Sequence, residues 1–212
     1  PDFPGHGDSD LPRTRNHISA LYQGVAEAID QTLDEPAVLY GNSMGGYAAL
    51  KYAAAHPERV RGLMVSSPAG GALSDEGRTQ VTQRFLVNGW SEGRQLAALA
   101  LPASGPLMHW FVGFNKARQL NLPHIRQVLT SVDGADDLRP EELARLPAVS
   151  HILWGTREDL LHPDQRTWFL NTLPGRVVFE EPEGLGHSSY FEHTELVAER
   201  LLEVLRRVET GA

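Results

Sequence analysis

The sequence contains no cysteine, which excludes disulfides, thiolate metal sites and cysteine nucleophiles together. That absence leaves the redox compartment open, since cytosolic and secreted chains alike can lack the residue. Long apolar runs are missing as well. No stretch approaches the roughly 20 residues needed to cross a bilayer, and the opening Pro1-Asp2-Phe3-Pro4 has neither the basic nor the apolar part of a secretory leader. A cytoplasmic chain without a membrane span is therefore expected. Positive charge is in deficit: 19 Lys and Arg stand against 27 Asp and Glu, for a formal net charge of −8. Such a balance offers no broad cationic surface to a phosphate backbone and excludes nucleic acid as a partner class. Internal repeats and low-complexity tracts are lacking too. No two of the nine histidines fall at a metal-ligand spacing with a carboxylate, so neither a metal nor another cofactor is expected.

What is present is a chain of 212 residues, 41% hydrophobic and 22% charged, sufficient for one globular domain with an inserted subdomain. Ile18, Leu21, Tyr22, Val25, Ile29 and Leu33 recur at helical spacing and predict a helix over 16–33. Residues 37–40 form a short apolar run closed by Gly41, as in a buried strand. A helix then runs from Gly45 to His56-Pro57, where proline disfavours helix in the residue before it, and 60–65 reads as a second strand. Two further strands are predicted at 151–154 and 176–180, with a helix over 163–173 between them and a closing helix over 194–208. This alternation defines an α/β fold with a mostly parallel sheet flanked by helices and right-handed crossovers.

Residues 69–149 interrupt that rhythm. Helical patterns at 80–87, 94–101 and 124–132 make this span an inserted helical cap, dividing the chain into core 1–68, cap 69–149 and core 150–212. Its middle, LMHWFVGF at 107–114, is densely apolar and aromatic. Two expectations attach to it: the side chains fasten the cap to the sheet, or His109, Trp110 and Phe111 line an apolar substrate pocket.

The junction of the first strand and second helix reads Gly41-Asn42-Ser43-Met44-Gly45-Gly46. A G-x-S-x-G segment between strand and helix holds a serine in a tight turn with room for the neighbouring backbone. The helix N-terminus beside it favours an anion forming there. A plain Gly-rich turn with a capping serine is the alternative. A serine nucleophile needs a base, and the base needs an orienting carboxylate. His187, in Gly184-Leu185-Gly186-His187, directly follows the last strand. Glu158 and Asp159 follow Trp154-Gly155 at the end of the preceding one. Loops at the carboxyl ends of parallel strands converge on one crevice.

With those segments in place the chain resembles the α/β-hydrolase superfamily over nearly all its length apart from the cap. PDFPGHGDS resembles the family's D-x-P-G-H-G-x-S loop, GNSMGG its nucleophile elbow, ILWGTREDLLHP its acid-bearing turn and GLGHSSYFEH its histidine loop. The order Ser, acid, His is also the family's. The resemblance implies Ser43 as nucleophile, His187 as general base and then acid, and Asp159 or Glu158 as orienting carboxylate. Spacing from Gly155 selects Glu158, whereas spacing to Pro163 selects Asp159. Asp159 is the preferred acid, on the supposition of a turn one residue longer, and Glu158 becomes a surface charge. The N–H of Met44 supplies one oxyanion donor; the resemblance puts the other in a loop upstream of Pro1, together with the family's first strands. A preceding segment or a partner chain is therefore expected to complete the site and the sheet, and the isolated chain is expected to be inactive or poorly folded.

The implied reaction is hydrolysis of a small-molecule carboxylic ester through an acyl-enzyme, with Asn42, His109, Trp110 and Phe111 near the substrate. A carbon–carbon bond hydrolase of the meta-cleavage type is the alternative, since GNSMGG also resembles that group's elbow, although Ser188 stands where that group has tryptophan. A non-catalytic hydrolase-fold binding protein is a third. His6, His56, His162 and His193 are read as structural.

Overall fold

The computed structural model describes residues 1–11 and 17–211. Asn16, the expected start of the first helix, and Pro12 of the opening loop lie outside them. The described residues form two compact units, Pro1–Asp34, Leu73–Ala98 and Ser104–Asp136 in one, Glu35–Ala72, Leu99–Ala103 and Asp137–Ala212 in the other.

The second unit carries a four-stranded sheet: β1 (Ala37–Asn42), β2 (Val60–Ser66), β3 (Ser150–Leu153) and β4 (Val178–Glu180), adjacent in chain order and all parallel. β2 is buried at every position but Arg61, as a near-continuous apolar run in a parallel sheet should be when both faces are covered. Gly62 and Met64 face the closing helix of the chain, Thr194–Thr210. A side chain at Gly62 would meet Val204 and Val208, and Met64 packs in one cluster with Val149, Leu153, Leu185, Val197 and Val204. Each fully buried side chain of this size contributes about 1.5–3 kcal/mol.

The helix after β1, Met44–Ala55, packs on β1 and β2 and buries Tyr47, Ala48, Ala49, Leu50, Tyr52, Ala53 and Ala54. Its alanines allow close approach to the strands, and it stops at His56 before Pro57. Lys51 reaches from it to Glu142, on the short helix Pro140–Leu143, at 2.9 Å. Helix Pro163–Thr172 starts with proline in its first turn, and the His162 ring accepts the Asp164 N–H.

The first unit is helical, with Ile18–Thr32, Asp75–Phe85, Trp90–Ala98 of the helix Trp90–Ala100, Pro106–Leu120 and Pro123–Ser131. Numbered in chain order, with the helices of the second unit included, the α-helices among the described residues are α1 (Ile18–Thr32), α2 (Met44–Ala55), α3 (Asp75–Phe85), α4 (Trp90–Ala100), α5 (Pro106–Leu120), α6 (Pro123–Ser131), α7 (Pro140–Leu143), α8 (Pro163–Thr172), α9 (Ser189–Glu192) and α10 (Thr194–Thr210). The stripe Ile18, Leu21, Val25 and Ile29 of α1 is buried as its spacing requires. Ser74 caps α3 by accepting the Gly77 N–H, with Asp75 and Glu76 in the positive first turn.

α5 departs from the expectation placed on residues 107–114. Its small residues face inward: a methyl group at Gly93 of α4 would collide with the Gly113 carbonyl, and one at Gly113 would stand 2.6 Å from the Arg94 Cα. Gly113 and Ala117 are buried, while Leu107, Trp110, Phe111 and Phe114 are exposed. Those four side chains fasten nothing to a core. The two helices approach so closely that only the glycine face of α5 fits between them, and the large residues turn outward.

Candidate active site

Ser43 links β1 to α2 and holds φ 54° and ψ −118°, a region that costs a non-glycine residue roughly 1–3 kcal/mol. The surroundings enforce it. Its N–H donates to the Ser66 carbonyl at 3.0 Å, and its own carbonyl accepts the N–H groups of Tyr47 at 2.9 Å and Ala69 at 3.1 Å. A side chain at Gly41 would collide with the Gly45 carbonyl, so strand and helix can fold back on one another only with glycine at 41. Met44 is the first residue of α2, and first-turn N–H groups have no acceptor within their own helix.

The loops after β3 and β4 are stitched together by the backbone. Arg157 N–H donates to the Leu185 carbonyl at 2.9 Å, and Gly184 N–H to the Thr156 hydroxyl at 2.9 Å. This zipper brings residue 158 beside residue 187. His187 Nδ1 and Glu158 Oε2 lie 2.8 Å apart, with both side chains almost fully buried. The other Glu158 oxygen accepts the N–H groups of Leu160 and Leu161, each at 3.0 Å, and the Ser67 hydroxyl also bonds this carboxylate. Burial alone would push the Glu158 pKa up. The His187 charge and the hydrogen bonds from His187, Ser67 and Leu161 outweigh it and hold the carboxyl below the usual range.

Asp159 was the expected partner of His187, and here the geometry differs. Asp159 is exposed, and the carboxylate against His187 is that of Glu158. The extra residue before Pro163 falls after the acid. Leu160 and Leu161 are buried, and their N–H groups wrap the Glu158 carboxylate. Asn42, expected beside the substrate, has its amide committed elsewhere. Nδ2 donates to the His187 carbonyl at 2.9 Å and to the Ser66 carbonyl and hydroxyl at 3.0 and 3.1 Å. It therefore ties the histidine loop to the strand end that carries Ser43.

Ser66 and Ser67 were not singled out by sequence reasoning, although their position at the end of β2, where loops converge, was the available signal. His109 is half-buried, and Trp110 and Phe111 are 50% and 60% exposed. Among the described residues no three His, Asp or Glu side chains gather to hold a metal ion, and no helix is long and apolar enough to cross a membrane.

A parallel sheet with a strained serine between strand and helix, and a buried His-carboxylate pair at the ends of the next strands, is the architecture of the α/β-hydrolases. The chain belongs to the alpha/beta hydrolase family, whose model matches residues 1–200. It is 24% identical over 223 residues to a pimeloyl-[acyl-carrier protein] methyl ester esterase of Chromobacterium violaceum, covering 96% of this chain and 82% of that one. A protein of the same name from Neisseria meningitidis is 40% identical over 75 residues, 35% of this chain; that stretch spans only 27% of the relative's length. Among solved structures, the 2-hydroxy-6-oxo-6-phenylhexa-2,4-dienoate hydrolase of Rhodococcus sp. superposes with a TM-score of 0.79 at 20% identity, over 97% of this chain and 78% of that one.

Proposed function

We propose that the protein hydrolyses carboxylic esters through an acyl-enzyme, with Ser43 as nucleophile, His187 as general base and then acid, and Glu158 as the carboxylate that orients the imidazole. The observation that carries this reading is the buried Glu158–His187 pair in a loop that Asn42 ties to the strand leading into Ser43. In the first half of the reaction the Ser43 oxygen bonds to the ester carbonyl carbon while His187 takes the hydroxyl proton. The carbon–oxygen bond then breaks, and the alcohol leaves with that proton. In the second half water attacks the acyl carbon, His187 takes the water's proton and returns it to Ser43, and the carboxylic acid is released. The Met44 N–H at the start of α2 donates to the oxyanion in both halves. Residues 69–149 keep their assignment as an inserted cap in this reading.

The names of the Chromobacterium and Neisseria relatives make methyl esters of acyl chains the first natural class to try. The test, made on the full-length gene product, is turnover of p-nitrophenyl acyl esters against turnover of a meta-cleavage dienone acid. Ester cleavage that falls by a factor on the order of 10⁶ in Ser43→Ala, with no dienone cleavage, is the expected result. Dienone cleavage without ester cleavage would instead assign the carbon–carbon hydrolase chemistry.

A further inference from the structure

We propose that the outer face of α5 docks on the surface of an anionic phospholipid bilayer. Three features of α5 and its neighbours lead there. Leu107, Trp110, Phe111 and Phe114 stand at i, i+3, i+4 and i+7, on one side of the helix, and are 81, 50, 60 and 46% exposed. Large apolar side chains on one such stripe ordinarily face a core. Here the inward positions belong to Gly113 and Ala117, pressed on Gly93 and Arg94 of α4, so the stripe cannot turn inward without pushing two backbones apart.

The aromatic groups are also ordered as a slab: the Trp110 and Phe114 rings stack at 6.2 Å, and the Arg118 guanidinium lies over the Phe114 ring at 5.9 Å. Trp and Phe above a cation suit the boundary between headgroups and acyl chains, where the ring enters the apolar layer and the charge stays among phosphates.

Charge complementarity selects an anionic surface. The chain as a whole is strongly acidic, yet between Glu92 and Asp133 there is no carboxylate, and the span carries Arg94, Lys116, Arg118 and Arg126. Arg94, Lys116 and Arg118 are exposed. A cationic segment inside an acidic chain meets a membrane of phosphatidylglycerol favourably, whereas a two-fold contact with a second copy would set this cationic face against itself.

The experiment is sedimentation of the chain with vesicles of phosphatidylcholine alone and of phosphatidylcholine mixed equally with phosphatidylglycerol, at low and high salt. Binding roughly tenfold stronger to the anionic vesicles, falling as salt screens the charges, is expected. Trp110→Ser with Phe111→Ser should lower that binding about tenfold. The variant Lys116→Glu with Arg118→Glu reverses two charges of α5 and should abolish the preference for anionic vesicles while a cooperative melt shows that it remains folded, the Arg118–Phe114 contact being lost; it keeps the test decisive if the serine variant fails to fold. Equal binding of all forms, or no binding to either vesicle, would overturn the proposal. So would a concentration-dependent dimer that the serine variant dissolves in the absence of vesicle binding, which would make a second copy the occupant.

Discussion

Glu158 is the residue on which the proposed chemistry turns. A carboxylate this deeply buried is costly unless its oxygens are hydrogen-bonded, and Glu158 spends one oxygen on His187 and the other on the N–H groups of Leu160 and Leu161. Replacing it with glutamine keeps the shape but removes the acceptor that fixes the tautomer. Glu158→Gln should lower kcat roughly 10³- to 10⁴-fold, whereas the exposed Asp159→Asn should change it less than about threefold; steady-state ester hydrolysis separates the two. The proposed serine and histidine stand out in the sequence because each sits in a distinctive glycine-flanked segment after a strand. The acid does not, because Glu158 and Asp159 are neighbours and the deciding fact is which side of the acid the extra residue occupies. The turn formed by Leu160 and Leu161 is what sets Glu158, and not Asp159, against His187.

At the scale of the element, β1, Ser43 and α2 work as one hairpin-like unit whose glycines are unequal. Gly41 lies against the backbone of Gly45 and Gly46, but a methyl group at Gly45 would meet nothing within 4 Å. Gly41→Ala should therefore cost on the order of 1–3 kcal/mol, while Gly45→Ala should leave stability unchanged or raise it by up to about 1 kcal/mol through helix propensity. Paired thermal melts check the contrast, and equal losses would contradict it. The motif pattern treats these glycines alike, so this difference could not be read from sequence. α5 was missed for a related reason. Its aromatic run hid the helix, and the outward turn of that run depends on Gly93 meeting Gly113 from another helix, a pairing no local pattern encodes. The helices α1, α2, α8 and α10, by contrast, followed directly from apolar spacing and proline stops.

At the scale of the whole molecule, the alternation of strands and helices was enough to give the parallel sheet, since every crossover connects adjacent strands. Its response to acid was not, because that depends on a partly buried network. His151 on β3 lies 2.9 Å from Glu180 on β4, and Arg200 on α10 grips the same carboxylate through Nε and Nη2. Burial pushes the His151 pKa down, against the opposing pull of Glu180 and Glu203 and in the same sense as Arg200. Arg200 in first place, helped by His151, draws the Glu180 pKa down, as His187 and its neighbours do for Glu158. For all three groups the unfolded chain holds its proton more tightly than the folded one. Their stabilisation is present above the unfolded pKa and is lost as pH falls, beginning below about 6.5 for His151 and below about 4.3 for the glutamates. Melting temperature should therefore decline in two stages on acidification, and His151→Gln should remove the upper one. A melting temperature flat from pH 7 to 5 in the unaltered chain would contradict this.

In the proposed mechanism one alcohol, one imidazole and one carboxylate act together. Its most direct measurement is peptide mapping by mass spectrometry after reaction with a fluorophosphonate. A single adduct on Ser43 is expected, forming far more slowly in Glu158→Gln and at an unchanged rate in Asp159→Asn. No adduct on Ser43, or one that forms equally fast in all three proteins, would contradict it.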